Sequence, residues 1–212
     1  MPSVTRKPQA SRQERREQIE RSLLEATDRL MADGASITEL SVDRLATEAG
    51  ISRASFYIYF EDKGHLLRRL ATQVFVDLTE AAQRWWSVAD RLDPADVHSA
   101  MTAIIAAYRT HQPVLVALNE MAPYDTAVGD TYRSLLAEVS DGFRAVIVAG
   151  QKAGAIRPQL PPDTTAQALV LMVERTCQQN LPSKPTSFDA ELAGVLTELV
   201  WGALYLKAPE GS

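Results

Sequence analysis

The segment from Ser41 to Phe60 constrains this chain more than any other part of it. Val42, Leu45, Ala46 and Ala49 recur at helical spacing behind Ser41, and a serine hydroxyl at that position accepts a free N–H of the first turn. A short helix with one buried face is therefore expected. Gly50 supplies the left-handed backbone that a sharp turn needs, and Ser52 can cap a second short helix. Ala46 and Ala49 are small enough to let the second helix cross close by. Two short helices joined by a tight glycine turn form a helix-turn-helix, whose second helix fits the major groove of DNA. An ordinary helical hairpin would use the same pattern. The polar positions, however, fall on the second helix, where base edges would be met.

The surrounding residues sharpen this expectation. Ser52-Arg53-Ala54-Ser55-Phe56-Tyr57-Ile58-Tyr59-Phe60, followed by Glu61-Asp62-Lys63-Gly64-His65-Leu66-Leu67, resembles the signature of the tetracycline-repressor (TetR) family. The resemblance is specific from about Arg15 to Leu70. It implies an all-α homodimeric regulator with about nine helices: an N-terminal three-helix helix-turn-helix domain and a C-terminal helical domain for ligand binding and dimerisation. Gly64 departs from the pattern, since relatives usually carry Glu there; glycine in a first helical turn is a mild cost.

Arg53, Ala54, Ser55 and Tyr57 occupy the first turns of the second helix, where such a motif meets bases. Arg53 is the one basic residue there able to grip guanine O6 and N7 with two hydrogen bonds, and Ala54 offers a methyl contact to thymine. Phe56 and Phe60 are expected to pack inward. Ser41, Thr47, Ser52, Tyr59 and Lys63 match family positions that usually contact phosphates, which position the protein without conveying sequence. Core packing is the alternative for Tyr57 and Tyr59. One such motif binds weakly alone, so a homodimer on a near-palindromic site is expected, with reading helices ~34–36 Å apart.

Net charge looks unfavourable for a DNA partner at −5, but its distribution is not. Residues 1–70 hold 12 basic and 11 acidic side chains, which leaves 10 and 16 in the remainder. The first sixteen residues carry Arg6, Lys7, Arg12, Arg15 and Arg16 against Glu14 alone. Two readings of this arm stand level: a contact to backbone or minor groove, and a solvated disordered tail.

No apolar run reaches the ~18 residues of a membrane span, and the basic N-terminus lacks the apolar core of a secretion signal. The single cysteine, Cys177, forbids an internal disulfide and reads as a small buried hydrophobe. A cytoplasmic protein is expected.

Prolines mark the helix boundaries. A first helix from about Ser11 to Ala32 carries the stripe Ile19, Leu23, Ala26 and Leu30 and ends at Asp33-Gly34. A long fourth helix starts at Asp62 and runs to about Ala89. Asp93-Pro94 reads as cap plus first helical residue. Pro113 and Pro123 separate short helices; Pro158, Pro161 and Pro162 precede one starting near Asp163. Between Pro123 and Gly154 a long helical stretch is expected, bent at Gly129, Gly142 or Gly150. Pro182 and Pro185 precede a last helix from about Phe188 to Lys207. The division expected is a basic arm at residues 1–10, a DNA-binding domain at 11–61, an effector and dimerisation domain at 62–207, and a tail at 208–212. The two domains share the fourth helix.

In the C-terminal half, Val170-Leu-Met-Val-Glu-Arg-Thr176 and Trp201 resemble the mycobacterial ethionamide-resistance regulator subgroup of that family. This implies a four-helix dimer interface built by the last two helices. Leu192, Val195, Leu196, Leu199, Val200, Ala203 and Leu204 form an apolar face too wide for simple core packing, which agrees; a monomeric bundle is the alternative. The same resemblance implies an elongated pocket lined by Ile104, Tyr108, Tyr132, Leu136, Phe143, Val170, Val173 and Trp201, with Met101 and Met121 nearby. Relatives often carry Asn where Val173 stands, so a lipophilic effector held mainly by shape is expected, with Asn119 as a substitute hydrogen-bonding group. A filled core is the alternative for these aromatics. Glu174 and Arg175 are expected to make polar contacts between helices.

Catalysis finds no foothold. His65, His98 and His111 fall in different predicted helices without metal spacing, and there is no phosphate loop or nucleophile elbow. No metal or cofactor is expected. The closer rival is a dimeric DNA-binding protein with no small-molecule effector, acting architecturally or through a protein partner.

Overall fold

A computed structural model describes residues 12–87 and 93–205 of the chain, and its regular structure is entirely helical. The arm at residues 1–10 and the tail at 208–212 lie outside the described residues. Helix α1 (Arg12–Ala32) precedes two short helices, α2 (Val42–Glu48) and α3 (Arg53–Tyr59), and the long α4 (Lys63–Trp86). The body continues through α5 (Pro94–Thr110), α6 (Gln112–Met121), α7 (Thr126–Lys152), α8 (Pro162–Asn180) and α9 (Asp189–Leu204). Two 3-10 turns, Leu181–Ser183 and Thr186–Phe188, link α8 to α9.

Local chemistry sets most of these boundaries. Asp62, Asp93 and Asp125 accept the N–H of His65, Ala95 and Val128 at 2.6, 2.9 and 3.1 Å, each satisfying an orphan donor of the helix that follows. Pro94, Pro113 and Pro162 sit in first turns, where a missing N–H costs nothing. Gly154, at φ +75°, ends α7.

Three expectations change. Helix α4 is described to Trp86 with Ser87 as its C-cap, and residues 88–92 lie outside the described residues. Phe188 belongs to a 3-10 turn, its N–H bonded to Pro185 O at 3.0 Å, so α9 begins at Asp189. The stretch after Pro123 is one continuous helix, in which glycines make room for neighbours. A Cβ at Gly150 would lie 2.6 Å from Ile156 Cδ1, and one at Gly142 would lie 3.3 Å from the Trp86 ring.

The core is one continuous cluster running from Ile19 and Leu23 through Leu45, Phe56 and Phe60 to Leu196 and Leu204. Helix α4 holds it together: it packs against α1 and also against α5, α6 and α7. Its buried side chains, among them Leu66, Leu67, Leu70, Val74, Phe75 and Trp85, leave little freedom for one end to move alone.

Candidate functional site

The helix-turn-helix is assembled from its serines and its glycine. Ser41 Oγ accepts the N–H of Arg44 at 3.1 Å and starts α2; Ser52 Oγ accepts the N–H of Ser55 at 3.0 Å and starts α3. Gly50 turns the chain between them at φ +70°. Leu45 and Ala46 are buried beneath α3, while Phe56 and Phe60 pack ring to ring at 5.5 Å. The opposite face of α3 shows Arg53, Ala54, Tyr57 and Ile58 to solvent, with Ser55 and Tyr59 half-buried and Thr47 of α2 exposed. An exposed row on a short, well-anchored helix is a geometry that can enter a groove.

Two side chains in this region do more than the sequence suggested. Arg53 Nη1 lies 2.5 Å from Asp43 Oδ2 on α2, and its guanidinium sits 5.5 Å from the Tyr57 ring centre. Asp43 was missed because an acid in a first helical turn is ordinary, and only the helix crossing brings it to Arg53. Lys63, expected on phosphate, is turned inward. Its Nζ donates to the carbonyls of Ile37, Thr38 and Leu40 at 3.0, 2.9 and 2.7 Å, so all three donors are used within the chain. Partial burial lowers this ammonium below its ordinary range.

A second candidate site is a cavity of about 100 Å³ lined by α4, α5, α7 and α8, with Leu115 of α6 and Val200 of α9. Met101, Ile104, Tyr108, Tyr132, Leu136, Phe143, Val170 and Val173 all face it. Three expected members do not. Asn119 Nδ2 donates to Leu115 O at 3.0 Å in a separate polar cleft shared with Arg175 and Gln178. Met121 ends α6 and packs on the core, and Trp201 stacks on Tyr205 with ring centres 4.4 Å apart. Sequence reasoning missed the α4 wall of Phe75, Leu78, Trp85 and Trp86, although the Trp85-Trp86 pair was a visible signal. It also missed Val200 and Glu174.

The charged and phenolic groups of the wall gather in one part of it; Thr79 and Trp86 on α4 are its other polar residues. Tyr132 Oη donates to Glu174 Oε1 across α7 and α8. Tyr108, 3% exposed, has a hydroxyl with no partner among the described residues. Burial raises the Glu174 carboxyl above its usual range; the Tyr132 hydrogen bond and Arg175 work against that shift. Both phenols are raised, first by burial, and the nearby Cys177 thiol is pushed up to about 12 for the same reason. Trp86 Nε1 is a second buried atom of the wall without a partner.

The α9 face expected to meet a second subunit divides in two. Leu192, Leu196, Val200 and Leu204 are buried within their own chain, at i, i+4 spacing on the ridge that packs toward α5, so they are core residues. Val195 and Leu199 remain half exposed, at 51% and 50%, and Ala203 is half-buried. Elsewhere, His111 Nε2 lies 2.9 Å from Asp77 Oδ2, and no cluster of metal-ligating side chains occurs among the described residues. No helix among them is long and apolar enough to cross a membrane.

Comparison with known proteins follows this division of the chain. Residues 23–70 match the bacterial regulatory proteins of the tetR family, and residues 97–205 match the C-terminal domain of the transcriptional regulator EthR. The HTH-type transcriptional regulator EthR of Mycolicibacterium smegmatis is 27% identical over 216 residues, covering 99% of this chain and 98% of that protein. EthR of Mycobacterium tuberculosis is 29% identical over 163 residues, covering 74% and 73%. Among solved structures, the fatty acid degradation regulator FadR of Bacillus halodurans superposes with a TM-score of 0.72 at 12% identity, over 94% of this chain and 97% of that one. FadR of Bacillus subtilis in complex with stearoyl-CoA superposes at 0.67 with 13% identity, over 87% and 99%. The chain belongs to the TetR family of bacterial transcriptional regulators, with a helix-turn-helix DNA-binding unit at its N-terminal end and an EthR-type domain at its C-terminal end.

Proposed function

We propose that this protein is a homodimeric repressor that reads a near-palindromic operator and releases it when a lipophilic small molecule fills the cavity. One observation carries this reading: α4 belongs to both candidate sites. At its N-terminus Lys63 grips the loop between α1 and α2, and further along Phe75, Leu78, Trp85 and Trp86 line the cavity. A packed helix moves as a body, so a ligand that displaces the α4 wall tilts the helix-turn-helix at its other end. The relatives add support, being HTH-type regulators along nearly the whole chain, and one structural neighbour holds a fatty acyl thioester. Arg53 reads bases, with Ala54, Ser55 and Tyr57 beside it; Ser41, Thr47, Ser52 and Tyr59 lie against the backbone. Residues 11–61 act as the reading domain and 62–207 as the effector and dimerisation domain.

At about 100 Å³ the cavity is smaller than the ~300–1,000 Å³ of typical ligand sites. A ligand therefore has to push helices apart, and this expansion is what would bias the dimer away from DNA. Coupling of ~1–3 kcal/mol weakens binding about 5- to 150-fold, enough for a genetic switch. The same small volume favours a second reading, a DNA-binding dimer with no small-molecule effector. Selection of bound duplexes from a randomised pool at ~0.15 M salt tests the first part, and a recovered palindrome is the expected result. Titrating lipophilic compounds against that operator tests the second. A compound that raises the melting temperature and weakens operator binding supports the switch; stabilisation with unchanged DNA affinity favours the effector-free reading.

A further inference from the structure

Apart from Thr79 and Trp86 Nε1 on α4, the polar groups of the cavity wall gather where α5, α7 and α8 meet. There Glu174, half-buried, accepts from Tyr132 Oη and has no ion-pair partner among the described residues. The hydroxyl of Tyr108, almost wholly buried and unpartnered, stands in the same wall. The Phe75 ring lies edge-on to the Tyr132 ring at 5.8 Å, so the residue that bonds the acid is itself packed against aromatic surface. Arg175 and Gln178 act on the Glu174 carboxyl from the adjoining outer cleft, which Tyr108 also lines, and neither of them faces the cavity. The Cys177 thiol on α8 is buried and adds no positive charge.

Resting on the reading of this cavity as a ligand site, we infer that its effector is a lipophilic amine, with the ammonium held by Glu174 and Tyr108 and the apolar portion lying along Trp85, Trp86 and Phe143. Each polar group finds a complement in this arrangement. The Glu174 carboxylate, which Tyr132 and Gln178 leave with spare acceptor capacity, accepts one N–H, the Tyr108 oxygen accepts another, and the phenyl and phenol faces favour a cation. An alcohol supplies one donor and no charge. A fatty carboxylate brings a second anion beside Glu174 into a site with little water, which electrostatics opposes. Shape alone would treat the three alike, since their tails are the same. Trp86 Nε1 only donates, and would meet an acceptor elsewhere on a natural ligand.

The test uses the full-length protein and three probes of one chain length: octylamine, octan-1-ol and octanoate. Their affinities are measured by calorimetry and by the fluorescence of the tryptophans in the wall. Octylamine is expected to bind about tenfold or more tighter than octan-1-ol, the margin of a hydrogen bond to a charged group, with octanoate weakest. Glu174→Gln, which keeps size and an acceptor for Tyr132, should bring octylamine down to the alcohol and leave the alcohol within about twofold. Tyr108→Phe should lower amine affinity by a smaller factor, and it serves should the first variant fold poorly. Octan-1-ol or octanoate binding as tightly as octylamine would overturn the amine assignment while leaving the ligand site intact. Retention of the amine preference in Glu174→Gln would do the same. Failure of all three probes to bind or to raise the melting temperature would remove the ligand-site reading itself, and this inference with it.

Discussion

Arg53 Nη1 and Asp43 Oδ2 lie 2.5 Å apart, which ties the principal base-reading candidate on α3 to an acid on α2. The Tyr57 ring, 5.5 Å from the guanidinium, fixes the other side. Both side chains are more than half exposed, so the pair is open to solvent and Asp43 competes with a base for the same donors.

This gives opposite effects for two neighbouring substitutions. Arg53→Ala should weaken binding to the selected operator about tenfold or more and relax base preference at one position in each half-site. Asp43→Ala releases the guanidinium and removes a negative charge near phosphate, so it should strengthen binding several-fold at ~0.1 M salt. Fluorescence anisotropy on operator variants reads both. Equal weakening across all sequences by Arg53→Ala would make this arginine a phosphate contact instead.

Lys63 should behave as a structural residue. Lys63→Met leaves the carbonyls of Ile37, Thr38 and Leu40 without their donor and should cost ~1–3 kcal/mol of stability. The salt dependence of operator binding should not change. A phosphate contact would instead lower that slope by about one unit, which a titration across salt concentrations distinguishes.

Helix α9 should show two kinds of leucine. Leu196→Ala opens a cavity in the chain's own core and should cost ~2–5 kcal/mol in denaturant unfolding. Leu199→Lys, alone or with Val195→Lys, changes half-exposed side chains and should leave the monomer fold intact while shifting sedimentation from dimer to monomer. A dimer unaffected by the double substitution would place the subunit contact elsewhere.

Stability should carry the imprint of Glu174. Its carboxyl is raised in the fold, chiefly by burial, so the folded chain holds this proton more tightly than the unfolded chain. Stability from this group is complete below the unfolded value and declines as pH rises through the folded one. Glu174→Gln does not titrate and can still accept from Tyr132. Its melting temperature should therefore gain on the parent protein as pH rises from the ordinary glutamate range through neutrality. A difference that stays constant across that range would mean the carboxyl is hydrated in the folded state.

The helices and the reading head were legible because their causes are local. Ser41, Ser52, Asp62, Asp93 and Asp125 cap helices with side chains two or three residues from the N–H groups they accept. Gly50 takes the left-handed conformation that its place in the turn demands. The helical period placed Phe56 and Phe60 inward and Arg53 and Ala54 outward. Eight of the nineteen residues lining the cavity were legible too, through the likeness of the C-terminal half to its relatives, since they lie on helix faces that such a bundle turns inward.

Partners far apart in the chain were not legible. Lys63 meets Ile37 across 26 positions, and Tyr132 meets Glu174 across 42. A lysine in a phosphate-binding position looks like a surface residue, and a glutamate expected to bond between helices has no legible partner, until the packing of other helices decides which groups they meet. The apolar stripe of α9 is the same case. Period and composition determined that this helix has a broad apolar surface; only the docking of α9 on α5 decided that Leu192, Leu196, Val200 and Leu204 are core and that Val195 and Leu199 stay exposed. Hydrogen bonds within a turn are fixed by neighbours in sequence. Burial is fixed by neighbours in space, and those exist only once the chain has folded.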